Sequence, residues 1–188
     1  MACTQPKPDV PTVTAVPTVE SDTDSYISDV LASTECLTSV EAQQVADNFK
    51  QLISNYTSIF ANETLAADFQ DYSDSVSTLI DNGCNNAPQP LGVATFASRA
   101  DFEKDQSSQP SIPFEQLNIW NNCNNVFIRW RTALTPENVT GIIVLEVKPN
   151  LTSAKQTWLI KTVFSEFNSG AWLVDLGAFD PKNCQTSK

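Results

Sequence analysis

The sequence predicts an α+β fold, with three N-terminal helices packed on one face of a curved antiparallel sheet. Two observations carry this. The first half holds an apolar stripe at helical spacing behind a capping box. The second half alternates apolar and polar residues over consecutive segments separated by short turns.

The predicted domain spans residues 35–184. Residues 1–34 form a Pro/Thr/Ser-rich lead-in, with Pro6, Pro8, Pro11 and Pro17 among Thr, Val, Ser and Asp. Such a segment has too little apolar surface to offset its ordering entropy, so disorder is expected, with a short helix over Ser25–Leu31 as its one candidate element. In the domain, Thr38-Ser39-Val40-Glu41 reads as a capping box. Val45, Phe49, Leu52, Ile53, Tyr56, Ile59 and Phe60 follow at helical spacing. Asn62–Gln70 reads as a second, shorter helix, and Val76, Leu79 and Ile80 as a short helix or strand. Asp81–Cys84 and Pro88-Gln89-Pro90 are turn material. Ser98 caps a third helix through Glu103.

Strands follow. Phe114–Trp120 is the first, and Asn121–Asn125 makes a turn. Val126–Ala133 alternates Val126, Ile128 and Trp130 on one face with Phe127, Arg129 and Arg131 on the other. Gly141–Val147 is rich in β-branched residues. Thr157–Phe167 and Ala171–Leu176 complete the set, separated by the turn Asn168-Ser169-Gly170.

Composition narrows the function. Lys+Arg is 11 against Asp+Glu 22, a formal charge of -11. That surface repels nucleic acid and anionic membranes, and no basic run offsets it. No apolar run reaches the ~20 residues of a membrane span. The chain has no histidine. Ser-His-Asp and Cys-His nucleophilic machinery is therefore absent, as is the commonest metal ligand. Neither a metal nor a cofactor is expected.

The five cysteines, Cys3, Cys36, Cys84, Cys123 and Cys184, form no C-x-x-C pair. Their spacing suits two disulfides among the last four. Three pairings are open; the preferred one joins Cys36 to Cys184 and Cys84 to Cys123, with Cys3 left over. Sequons at Asn55, Asn62, Asn138 and Asn150 are candidate glycosylation sites. Roughly three would arise by chance under so loose a motif, so they add little alone. No signal peptide heads the chain; a secreted protein would here be a processed form with an added Met1. With the acidity and the cysteine spacing, a secreted, extracellular location is expected.

Several stretches carry a family resemblance. They are Cys36-Leu37-Thr38, Ala46-Asp47-Asn48-Phe49, Asp71–Val76, Gln109–Phe114, Arg129-Trp130-Arg131, Gly141–Val147 and Ser165–Trp172. Across residues 36–179 the chain resembles the secreted nuclear-transport-factor-2-like proteins of filamentous fungi. The resemblance implies a cone-shaped α+β roll with a pocket between the concave sheet face and the helices. The wider superfamily includes scytalone dehydratase, ketosteroid isomerase and polyketide cyclases. Histidine takes part in scytalone dehydratase-like chemistry, and this chain lacks it. Ketosteroid isomerase-like sites use an Asp base with Tyr and a protonated Asp as donors. Tyr72 and Asp74 offer those residue types without matching that family's motif.

Each candidate binding residue has a competing structural role. Tyr72 and Asp74 offer a hydroxyl and a carboxylate to a pocket, or form an Asx-type turn with a half-buried tyrosine. Glu146 follows Ile142 and Val144 at period two, and Glu166 follows Ile160, Thr162 and Phe164. A carboxylate on an apolar sheet face would be a desolvated acid; alternatively, Arg129 or Arg131 pairs with it structurally. Trp120, Trp130, Trp158 and Trp172 line a cavity or simply fill a core.

The expected function is non-catalytic binding of a small apolar ligand or a host protein, in the manner of an effector. One alternative is a cofactor-independent lyase or isomerase using pocket carboxylates and Tyr72. Another is a self-associating structural protein that pairs as a homodimer through the outer sheet face.

Overall fold

A computed structural model describes residues 36–80 and 89–183. The lead-in, its candidate helix, Cys3, Cys84, Cys184 and the turn at Asp81–Cys84 lie outside the described residues.

Helix α1 (Ser39–Ser54) opens with the expected capping box. The Glu41 N–H donates to Thr38 Oγ1 at 3.3 Å, and the Thr38 N–H donates to Glu41 Oε2 at 2.9 Å. Its stripe of Ala42, Val45, Ala46, Phe49 and Leu52 is buried. The helix stops at Ser54, and the stripe does not continue as one helix through Phe60. Thr57 caps a separate helix, α2 (Ser58–Thr64), which leaves Ile59 76% exposed.

Strand β1 (Leu65–Tyr72) corrects the helix expected through Gln70. Ala66 and Ala67 favour helix locally. Pairing wins because the segment runs parallel beside β5 (Trp158–Phe167), with Asp71 opposite Val163 and Tyr72 opposite Phe164. Phe69 and Asp71 then share the inner face. Helix α3 (Asp74–Leu79) and helix α4 (Arg99–Gln106) follow, the latter capped by Ser98 as expected.

The remaining strands are β2 (Glu115–Asn121), β3 (Asn125–Thr132) and β4 (Val139–Pro149). The sheet order is β1-β5-β4-β3-β2. Four strands pair antiparallel as predicted, and β1 makes the sheet mixed. The final segment is helix α5 (Ser169–Asp175), not a strand. Asn168 Oδ1 accepts the Ala171 N–H at 3.0 Å, so the supposed turn is an N-cap.

The core lies between the helices and the concave inner sheet face. Val126, Ile128, Val139, Ile143, Leu145 and Val163 are wholly buried there. The outer face carries one apolar row across all five strands: Tyr72, Phe164, Val144, Phe127 and Trp120, each paired with the next.

Cys36 is bonded to Cys123. This replaces the preferred Cys36–Cys184 and Cys84–Cys123 pairings. Cys36 sits just before α1 and Cys123 in the β2–β3 turn, where the Leu37 N–H also donates to the Cys123 carbonyl at 2.9 Å. The bond therefore ties the first helix to the hairpin beneath it rather than the two ends of the domain.

Candidate functional site

A cavity of about 420 Å³ lies between the inner sheet face and the helices. It falls in the usual range for small-molecule sites. Its walls come from nearly every element: Phe49 and Ile53 of α1, Val76 and Leu79 of α3, Phe102 and Gln106 of α4, Trp130 of β3 and Ile143 of β4.

Aromatic rings build one side. Trp130 stacks on Phe114 with centroids 5.0 Å apart and meets Phe167 edge-on at 5.7 Å. Trp172 of α5 packs against Phe167 at 5.1 Å. Phe96 and Phe102 meet edge-on at 5.8 Å on another part of the lining. These contacts set the rings in the offset and edge-to-face arrangements their quadrupoles favour. Asp105, Gln109 and Leu176 line the cavity and are exposed, so they mark its mouth.

Asp71 is the buried carboxyl among the described lining residues. Its backbone is fixed on two sides. The Asp71 N–H donates to the Phe96 carbonyl at 2.9 Å, and the Asp71 carbonyl accepts from Thr95 at 2.8 Å. The other edge pairs with β5. The side chain is buried, and Oδ1 has no hydrogen-bond partner. Burial, aided by the negative charge of Glu166, pushes its pKa up to about 7. This carboxyl is thus poised between a neutral hydrogen-bond donor and an anion near neutral pH. Ser165, also inward-facing and buried, adds a hydroxyl to the lining.

Of the six candidate binding residues, the structure brings Trp130 to this cavity. Tyr72 is on the outer face, stacked on Phe164 at 5.3 Å. Asp74 Oδ1 accepts the Gly92 N–H at 2.7 Å. Arg129 is exposed opposite Ile142, while Arg131 forms an ion pair with Glu115 at 2.7 Å. Glu146 does share a face with Ile142 and Val144, but it is the outer one; the core takes Ile143, Leu145 and Val147.

Glu166 is displaced from the inner face by a β-bulge. Val147 pairs with Ile160 but Glu146 pairs with Thr162, so Lys161 is an extra residue and the alternation reverses beyond it. Ile160 therefore points inward while Phe164 and Glu166 point out. Glu166 instead accepts the N–H groups of Asp74 and Ser75, each at 3.0 Å, and the Ser75 hydroxyl. It anchors the first turn of α3.

Asp71 is not among the sequence-predicted site residues, because Asn62–Gln70 reads as a helix running into a turn. The one local signal is the period-two pair Phe69 and Asp71, which places Asp71 on the buried face once the segment is a strand. Among the tryptophans, Trp172 joins Trp130 at the cavity; Trp158 fills core and Trp120 is 53% exposed. The four sequon asparagines lie on the surface side of their elements: Asn55, Asn62 and Asn138 are exposed and Asn150 is half-buried. Among the described residues no cluster of His, Cys, Asp and Glu could hold a metal ion.

Several solved structures are similar to this chain. A loop-truncation variant of IdmH matches with a TM-score of 0.51 and 13% identity, over 72% of this chain and 99% of that one. A SnoaL-like protein from Burkholderia thailandensis matches with a TM-score of 0.48 and 14% identity, over 71% and 98%. TsrD from Streptomyces laurentii matches with a TM-score of 0.48 and 11% identity, over 76% and 99%. At 13% identity the IdmH likeness is one of fold alone. No curated protein matches the sequence. The NTF2-like domain family matches residues 35–179, most of the chain, and the protein belongs to that family.

Proposed function

We propose that this protein binds a small, largely apolar molecule in the cavity, through a polar group that meets Asp71. The carrying observation is a cavity of about 420 Å³, walled by aromatic and aliphatic side chains, with one buried carboxyl lacking a partner at Oδ1. A buried polar atom without a partner costs stability, and a guest that supplies one recovers it. Titration with a neutral fluorescent probe such as prodan tests the reading. Saturable binding should be lost in Val76→Trp, which narrows the cavity, while the circular dichroism spectrum is kept. Binding that survives the substitution places the probe elsewhere and removes the proposal.

The same carboxyl supports a second reading, a cofactor-independent lyase or isomerase. A group with a pKa of about 7 can take and return a proton near neutral pH. Asp71 would be its acid–base residue. Turnover of a candidate carbonyl substrate that Asp71→Asn leaves unchanged would dispose of it.

Two further proposals concern setting and assembly. The Cys36–Cys123 bond and the exposed sequon asparagines support a secreted protein. The apolar row on the outer sheet face supports pairing of two copies there.

A further inference from the structure

We infer that the guest of this cavity is a hydrophobic amine in its protonated form, with its ammonium group on Asp71 and its apolar body among the aromatic rings. The inference rests on the ligand-binding reading and narrows it to one chemical class.

Three observations point the same way. First, the charged residues lining the cavity are both acidic: Asp71 deep inside and Asp105 at the mouth. Neither lysine nor arginine is among the described lining residues. A carboxylate or phosphate guest would meet no counter-charge and would be repelled by Asp71. Second, Asp71 has already been desolvated by folding, and its Oδ1 is unpartnered. The usual penalty of burying that half of an ion pair falls on the folded protein before any ligand arrives. An ammonium group then gains a charge-assisted hydrogen bond against the cost of its own dehydration alone. Third, the walls suit an organic cation. Trp130, Phe114, Phe167 and Trp172 form a connected aromatic cluster, and ring faces attract cations while still packing against apolar carbon. The overall charge of -11 also raises the local concentration of cations at the mouth.

The geometry excludes a strongly hydrated polyamine, because most of the lining is hydrocarbon. It favours one amine on an aromatic or polycyclic frame. Ser165 offers a second hydrogen bond to such a guest from the neighbouring strand.

Isothermal titration at pH 8 with three near-isosteric probes tests this. They are 1-naphthylmethylamine, 1-naphthylmethanol and 1-naphthoic acid. The expected result is an amine bound about tenfold or more tighter than the alcohol, with the acid not bound. Asp71→Asn should erase the preference for the amine and keep the alcohol. An alcohol or acid that binds as tightly as the amine overturns the inference and leaves the cavity reading standing. So does a preference that survives Asp71→Asn. Failure of all three probes to bind overturns the cavity reading itself, and this inference with it.

Discussion

Glu166 and Asp71 stand on opposite faces of the sheet, and the charge of the first helps to raise the pKa of the second. Asp71 faces the cavity, beside the inward Val163; Glu166 faces outward and holds α3. Burial is the larger cause and the Glu166 charge the smaller. Folding thus raises the Asp71 pKa from an ordinary 3.8 to about 7. Between those values the native state keeps a proton that the unfolded chain has lost. Stability must fall as pH rises through this window and level off above it. The loss is on the order of 4 kcal/mol. Asp71→Asn keeps the shape of the neutral form and removes the titration. It should flatten the profile and be more stable than the wild type at pH 8, with little difference at pH 3, below both values. Urea unfolding at the two pH values measures this, and a wild type that gains on the variant as pH rises contradicts it.

Two other carboxylates act in the opposite sense. Hydrogen bonds from Thr38 hold Glu41 below its usual 4.5, and the Lys148 ammonium holds Asp68 below 3.8. Their contributions are present above those values and lost as pH falls through the lowered ones. Asp68 is exposed and Glu41 partly so, and solvent screens both, so this acid limb is shallow beside the Asp71 effect.

The Glu166 anchor leads to a separable outcome. Its carboxylate accepts two backbone N–H groups, and the Ser75 hydroxyl also accepts the Phe167 N–H at 3.0 Å. Glu166→Gln keeps the size and loses the charge. It should destabilise the fold by about 1–2 kcal/mol, the low end of the value for hydrogen bonds to a charged group, because the site is partly exposed. It should also shift the Asp71 titration downward by less than half of its displacement, because burial remains. Carboxyl-carbon NMR of the aspartates reads the second effect without reference to stability. A Glu166→Gln protein whose Asp71 titrates near 4 would make burial the minor cause.

Gly141 has a packing requirement that its neighbours explain. A Cβ there would lie 2.6 Å from Phe167 Cβ, 2.7 Å from the Glu166 carbonyl oxygen and 2.8 Å from Trp130 Nε1. One of those contacts is backbone, so side-chain rearrangement cannot clear it. Gly141→Ala should cost about 2–3 kcal/mol, at the upper part of the overpacking range. It should also disturb the aromatic side of the cavity, since Trp130 and Phe167 both line it. Near-ultraviolet circular dichroism reports the rings, and a variant with native spectrum and stability would show that the strand yields easily.

Much of this fold was legible because local signals and tertiary needs agree. The Thr38–Glu41 box, the Ser98 cap and the alternation of Val126, Ile128 and Trp130 each form as read. The failures share a physical origin in long-range pairing. Leu65–Tyr72 becomes a strand only because β5 offers it an edge 90 or so residues away in sequence. Trp172 enters a helix because it completes the aromatic cluster with Trp130 and Phe167. The bulge at Lys161 reverses the facing of Glu166, and nothing in the local alternation marks it. The candidate site suffered most. Asp71 acquires its chemistry from burial, which its spacing from Phe69 marks only once the segment pairs as a strand, whereas Tyr72 and Asp74 are candidates by residue type alone.

The disulfide gives a redox prediction. Cys36 and Cys123 are 87 residues apart in sequence, so the bond closes a long loop in the unfolded chain. Loop-closure entropy gives such a cross-link roughly 4 kcal/mol. Cys36→Ser should lower stability by an amount of that order and match the reduced wild type. The hydrogen bond from Leu37 to Cys123 keeps the contact, so the fold should survive at low denaturant. Equal urea midpoints for oxidised and reduced protein would mean that the bond constrains nothing.

The outer sheet face yields the last prediction. Its apolar row of Tyr72, Phe164, Val144, Phe127 and Trp120 spans five strands, about 19 Å at the usual strand spacing. Phe164 is 41% exposed and Trp120 is 53% exposed; no described element covers them. The charges around the row are balanced, unlike those of the whole chain. Arg131 pairs with Glu115 and Lys148 with Asp68, while Arg129 and Lys161 face outward with Glu146 and Glu166. Two copies can therefore meet on this face without the repulsion that the net charge of -11 would impose elsewhere. Sedimentation velocity across the micromolar range should show a dimer for the wild type. Trp120→Lys and Phe164→Lys should each return a monomer with unchanged circular dichroism, since both sites are exposed in the isolated chain. Because the cavity lies on the other side of the sheet, prodan binding should be the same in monomer and dimer. A wild type that stays monomeric throughout that range would leave the row without a partner of its own kind.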